Sequence, residues 1–158
     1  MKKLLFCSLC VMALLVAGCA NREIGAMKFP AGKVQHAVRA TEIKWRPCPK
    51  SLPAGCRISV LEGHPKKPDL FTIRFKIDKD LFMRPHTHPR DERVTILSGK
   101  AAVAFGKNAD RSQAKEFGPG DYYVNARNAV HSVWIEENTI LQITGIGPWQ
   151  AKFIKKAK

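Results

Sequence analysis

Hydrophobic and polar residues alternate with a period of two through the middle of the chain. The sharpest run is 71–77, with Phe71, Ile73, Phe75 and Ile77 on one side and Thr72, Arg74 and Lys76 on the other. Such alternation places successive side chains on opposite faces of an extended strand, one toward a core and one toward water. Shorter β-rich runs cover 57–61, 93–97, 101–105, 122–125, 130–135, 139–144 and 151–154. Gly, Pro and Asp punctuate them at intervals of roughly 8–12 residues, the spacing of an all-β domain. Ser98-Gly99-Lys100 and Gly118-Pro119-Gly120-Asp121 carry the strongest turn chemistry. No stretch beyond residue 40 has a long helical stripe. The expected fold is therefore all-β, a sandwich or barrel that closes its own edges.

The N-terminal 40 residues have a different texture. Lys2 and Lys3 precede an apolar stretch at 4–16, shorter than the ~20 residues a membrane-spanning helix needs. Val16-Ala17-Gly18-Cys19 follows directly and resembles a bacterial lipobox, with cleavage before Cys19 and diacylglycerol on its thiol. The alternative is an ordinary secretory signal with a chance cysteine. Either reading removes residues 1–18 from fold reasoning. Without a twin arginine, export is expected by the general route, as an unfolded chain. Ala20, where a retention signal would place Asp, points by resemblance to Gram-negative sorting toward the outer membrane. The expected organisation is a signal at 1–18, a tether at 19–40, a β domain at 41–154 and a basic tail at 155–158.

Export changes the meaning of the cysteines. Cys7 and Cys10 leave with the signal and Cys19 is lipidated, so Cys48 and Cys56 remain as an even pair in an oxidising compartment. A bridge would close a short Pro-rich loop and stabilise the fold by roughly 2.5 kcal/mol through chain entropy. The alternative, two free thiols as metal ligands, matches no common zinc spacing. The formal charge is +14, of which Lys2 and Lys3 supply two. The remaining excess is spread along the chain and suits a surface near anionic head groups. No aromatic-basic module of the RNA-binding kind is visible, so nucleic acid is not an expected partner.

The candidate chemistry lies between residues 86 and 131. His86 and His88 stand at i, i+2, which puts both imidazoles on one face of an extended strand, and Glu92 has the same parity. Glu92 either joins that face or pairs with Arg90 or Arg93 at the surface. Pro85 and Pro89 bracket the histidines and restrict their backbone. Imidazoles and a carboxylate converging from a stiff scaffold are what a transition metal requires. His36 and His64 read as ordinary surface or core histidines. Trp45, Trp134, Trp149, Tyr122 and Tyr123 read as packing residues, with stacking on a ligand the alternative, and Gln142, on a late strand, is a candidate on the substrate side of the lumen.

These residues resemble the cupin superfamily, whose first motif is HxH, three or four residues, Glu, six residues and Gly. His86, His88, Glu92 and Gly99 meet both spacings, while Asp80 stands where the family usually has a preceding glycine. The second motif is looser: Gly120 and His131 match, but Ala126, Asn128 and Ile135 replace its Pro, Gly and Asn. Asn tolerates the left-handed backbone that the glycine position needs. The likeness covers roughly residues 56–146 and extends to small bacterial single-domain cupins and the cupin part of zinc anti-sigma factors.

The resemblance implies a double-stranded β-helix, or jelly-roll barrel. It also implies one divalent transition metal (Zn, Cu, Mn, Fe or Ni) on His86, His88, Glu92 and His131. Two function classes follow: a metal-dependent enzyme of dioxygenase or isomerase type acting on a small anionic molecule, or a non-catalytic module that binds metal or a small ligand. Expected partners are the membrane through the N-terminal lipid, a small molecule, and a second copy in a homodimer.

Overall fold

The computed structural model describes residues 24–155. The expected signal and Cys19, with the last three residues of the expected basic tail, lie outside them. In chain order the strands are β1 (Arg46–Pro47), β2 (Cys56–Gly63), β3 (Leu70–Ile77), β4 (Leu81–Thr87), β5 (Glu92–Ser98) and β6 (Ala101–Phe105). They continue as β7 (Lys115–Phe117), β8 (Tyr122–Asn125), β9 (His131–Ile135), β10 (Ile140–Ile146) and β11 (Lys152–Phe153). Two 3₁₀ turns, Ala40–Glu42 and Arg111–Gln113, are the helical elements among the described residues.

Every strand pairing is antiparallel. One sheet runs β1-β2-β3-β10-β5-β8 and the other β11-β4-β9-β6-β7. The alternation at 71–77 becomes β3, and its apolar row forms the floor of the core: Phe71, Ile73 and Ile77 are at most 1 % exposed. Val94, Ile96, Leu141 and Ile143 extend that row on neighbouring strands, and Leu81, Ala101, Val103, Val133 and Ile135 supply the other sheet's contribution. Each fully buried Phe, Ile or Leu contributes roughly 1.5–3 kcal/mol. The two apolar faces are the reason the sheets close on each other. This is the all-β jelly roll expected.

The local differences have physical causes. β4 (Leu81–Thr87) is not among the runs that alternation marked, because Pro85 interrupts the signal. It sits where the β4–β9 register shifts between Met83 and His86, a place where a missing N–H is tolerated. β1 and β7, with two and three residues, are too short to show any alternation. Residues 24–39 are mostly exposed and touch the domain through Gly25 N–H to Asp69 Oδ1 (2.9 Å) and the His36 ring to the Leu61 carbonyl (2.7 Å). Cys48 and Cys56 form a disulfide with Cα atoms 5.6 Å apart, and the loop they close places Leu52 against the core.

Candidate metal centre

His86 lies near the end of β4, directly opposite His131, the first residue of β9. Their ring centroids are 4.3 Å apart. His88 stands one residue past β4, and Glu92 opens β5 in the other sheet. The shared parity of His86, His88 and Glu92 is therefore not one continuous strand face. The chain turns at 88–91 and crosses between sheets, so Glu92 arrives from the opposite wall. The result is the same convergence by a different route. Asn128 adopts φ 62° before His131, the left-handed conformation expected of it, and its N–H bonds the His88 carbonyl at 2.8 Å.

All four groups are buried, none more than 5 % exposed. Glu92 touches neither Arg90 nor Arg93; its partners are two donors inside the barrel. Asn125 Nδ2 donates to Oε2 at 3.0 Å, and Trp149 Nε1 donates to Oε1 at 3.0 Å. Each imidazole has Nδ1 against a backbone carbonyl: His86 on Arg84 (2.8 Å), His88 on Gln150 (2.9 Å) and His131 on Ala129 (3.0 Å). A carbonyl oxygen can only accept, so all three Nδ1 atoms carry the proton. In the neutral rings the Nε2 lone pairs are then left facing inward. One nitrogen from each of the three rings lies within 4.8 Å of the others.

Burial keeps these rings neutral. It pushes His86 down to about 4, with His131 the next largest cause, and pushes His88 down to about 4. His131 also falls below the ordinary histidine range through burial. His88 Nε2 is buried without a hydrogen-bond partner, 3.3 Å from Glu92 Oε1. With the ring neutral this approach is two electron-rich atoms facing one another, not an ion pair. A buried polar atom left unpaired costs free energy, and a cation at the convergence would resolve it. The donor set thus fits a transition metal: aligned imidazoles whose second nitrogens are fixed by carbonyls, with a hydrogen-bonded carboxylate.

Beside the site is a cavity of about 60 Å³, lined by Leu52, Phe75, Met83, Tyr123, Leu141 and Trp149 as well as by His86, His88 and Glu92. No Lys or Arg lines it. Burial, followed by the Glu92 charge, raises the Tyr123 phenol above its usual range. Gln142 does not reach this lumen. On β10 the residues Leu141, Ile143 and Gly145 face inward, and Gln142 points out to accept from Arg74 Nε at 2.9 Å.

Two site residues escaped the sequence reading. Trp149, read as a packing residue with ligand stacking the alternative, stacks on the His88 ring at 5.3 Å with planes 13° apart while bonding Glu92. Asn125, 1 % exposed, bridges Glu92 and the His131 Nε2 edge (3.1 Å). A single Asn and a single Trp far from the HxH carry no spacing signal.

Two facing antiparallel sheets with this histidine cluster between them define a cupin. More narrowly, the chain belongs to the ChrR cupin-like domain family, which matches residues 33–150. No curated protein matches it in sequence. In fold it is similar to the polyketide cyclase RemF of Streptomyces resistomycificus, with 14% identity, 78% of this chain and 88% of that one covered, and a TM-score of 0.62. It is also similar to an acetylacetone dioxygenase of Acinetobacter johnsonii, with 15% identity, 85% and 86% covered and a TM-score of 0.60. A third similar structure is an RmlC-like cupin of Shewanella frigidimarina NCIMB 400, with 12% identity, 72% and 92% covered and a TM-score of 0.54. At such identities these likenesses concern the fold alone.

Proposed function

We propose that this protein is a metal-binding cupin of the bacterial cell envelope, holding one divalent transition metal on His86, His88, His131 and Glu92. The observation that carries this reading is the convergence of one nitrogen from each of three neutral imidazoles beside a carboxylate, all buried, with His88 Nε2 unbonded. Three nitrogens and an oxygen suit Mn, Fe, Ni, Cu or Zn. Such an ion supplies Lewis acidity and, where redox-active, electron transfer.

The chain's own residues do the rest. Backbone carbonyls fix the ring tautomers, and Trp149 and Asn125 fix the carboxylate. Apolar walls limit water. Because no cationic side chain lines the cavity, the small anionic molecule expected from the resemblance narrows to a ligand with one compact, oxygen-bearing anionic end and an apolar remainder. About 60 Å³ of cavity holds only a small one.

Among the lining residues the only titratable side chain beyond the ligand set is Tyr123, held neutral by burial. The walls therefore favour dioxygenase-type chemistry, which draws on the metal, over isomerisation, which needs a protein acid and base. The same lack of an acid–base group favours, as a second reading, a module that binds without turnover. Oxygen uptake by the metal-loaded protein, screened with small carboxylates and phenols, separates them. Saturable binding with uptake supports the enzyme, binding without uptake supports the module, and no metal-dependent binding of either class contradicts both.

The setting proposed is the envelope, with Cys19 carrying the lipid. Export as an unfolded chain means the metal is acquired outside the cytoplasm, where affinity order favours Cu and Zn. Cys19→Ser is expected to move the protein from the membrane pellet to the soluble fraction. Continued pelleting contradicts the anchor.

A further inference from the structure

The chain does not end its contribution to the site at His131. After β10 it folds back over the ligands, and residues 149–154 meet three of the four. The Gln150 carbonyl accepts from His88 Nδ1 at 2.9 Å. The Trp149 indole stacks on the same His88 ring and donates to Glu92 Oε1. Phe153, in β11, lies 5.6 Å from the His86 ring and opposite His86 in the β4–β11 register. The segment is fastened on its far side by Ile154 N–H to the Pro85 carbonyl (2.8 Å) and by Arg84, whose Nη1 donates to the Ile154 carbonyl at 2.8 Å.

We propose that this C-terminal strap is a built part of the metal centre, with Trp149 as the positioning residue that sets Glu92 and His88 for the ion. The inference rests on the metal reading above. Trp149 has two handles on the site. The indole N–H holds one carboxylate oxygen, so that Glu92 cannot rotate away from the convergence. The ring face holds the His88 imidazole in plane while the Gln150 carbonyl fixes its tautomer. Hydrogen-bonding partners of metal ligands typically change affinity by roughly 10–100-fold when removed.

The test is Trp149→Phe, which keeps an aromatic face against His88 and removes the N–H. Co(II) is the probe, followed by its visible absorption, beside thermal melting of the metal-free protein. The expected result is Co(II) binding weakened roughly 10–100-fold, with shifted absorption bands and a near-wild-type melting temperature. Wild-type affinity and bands in the variant overturn the proposal. A second measurement covers a variant that fails to fold: Trp149 emission in a Trp45→Phe, Trp134→Phe background, titrated with Zn(II). Saturable change in the emission supports the positioning contact, and unchanged emission at saturating Zn(II) overturns it. If the wild-type chain binds neither Co(II) nor Zn(II), it is the metal reading that has failed.

Discussion

His88 Nε2 lies 3.3 Å from Glu92 Oε1 with no hydrogen bond between them. Two acceptors held this close inside a barrel repel one another, and the cation proposed above would compensate them by binding both. Glu92→Gln keeps the shape of the side chain and removes its charge. We expect it to weaken Zn(II) binding by about tenfold or more while leaving far-UV circular dichroism unchanged. A competition titration against a chromophoric chelator reads the effect.

Protons would compete with the proposed metal for the same histidines. His86 and His88 are pushed by burial to about 4 in the folded chain, whereas the unfolded chain binds those protons below about 6.5. The folded values are depressed, so the stabilising contribution is fully present above pH 6.5 and is lost as pH falls toward 4. The slope is up to roughly 1.4 kcal/mol per pH unit for each histidine. Urea midpoints of the metal-free protein between pH 7 and pH 4 should fall accordingly, and in the double variant His86→Ala, His88→Ala the slope should flatten.

The jelly roll and the clustering of His86, His88 and His131 were legible in the sequence, for local reasons. Period-two alternation exposed β3, and His86, His88, Glu92 and Gly99 sit at fixed spacings that turn geometry enforces. Gly99 adopts φ 75°, which few side chains tolerate. His131 was readable because Asn128 can take the left-handed turn that precedes it. Trp149, Asn125 and Gln142 were not, since their roles depend on which strands become neighbours. Trp149 meets Glu92 across 57 residues. Gln142 failed because a run of alternating residues has two faces, and the choice between them is made by packing against β3 and β5.

Gly99 gives a direct test of that reading. A Cβ there would meet the Thr139 side chain and backbone, and Thr139 Oγ1 bonds both the N–H and the carbonyl of Lys100 at 3.0 Å. Gly99→Ala should lower stability by about 1–3 kcal/mol, measured by chemical denaturation. An effect below about 0.5 kcal/mol would mean the turn accommodates a side chain freely.

The Cys48–Cys56 bridge closes a loop of separation 8. Cys48→Ser, Cys56→Ser should lower stability by roughly 2.5 kcal/mol through unfolded-chain entropy. With residues 1–18 removed and Cys19 lipidated as proposed, thiol titration of the denatured, unreduced protein should find no free cysteine thiols. Two titratable thiols would show the bridge absent.

The most direct measurement is elemental analysis of the purified protein and of its His86→Ala, His88→Ala variant, prepared side by side. One divalent transition metal ion per chain is expected in the first and none in the second. Equal metal content in both, with the variant folded, would contradict the ligand set.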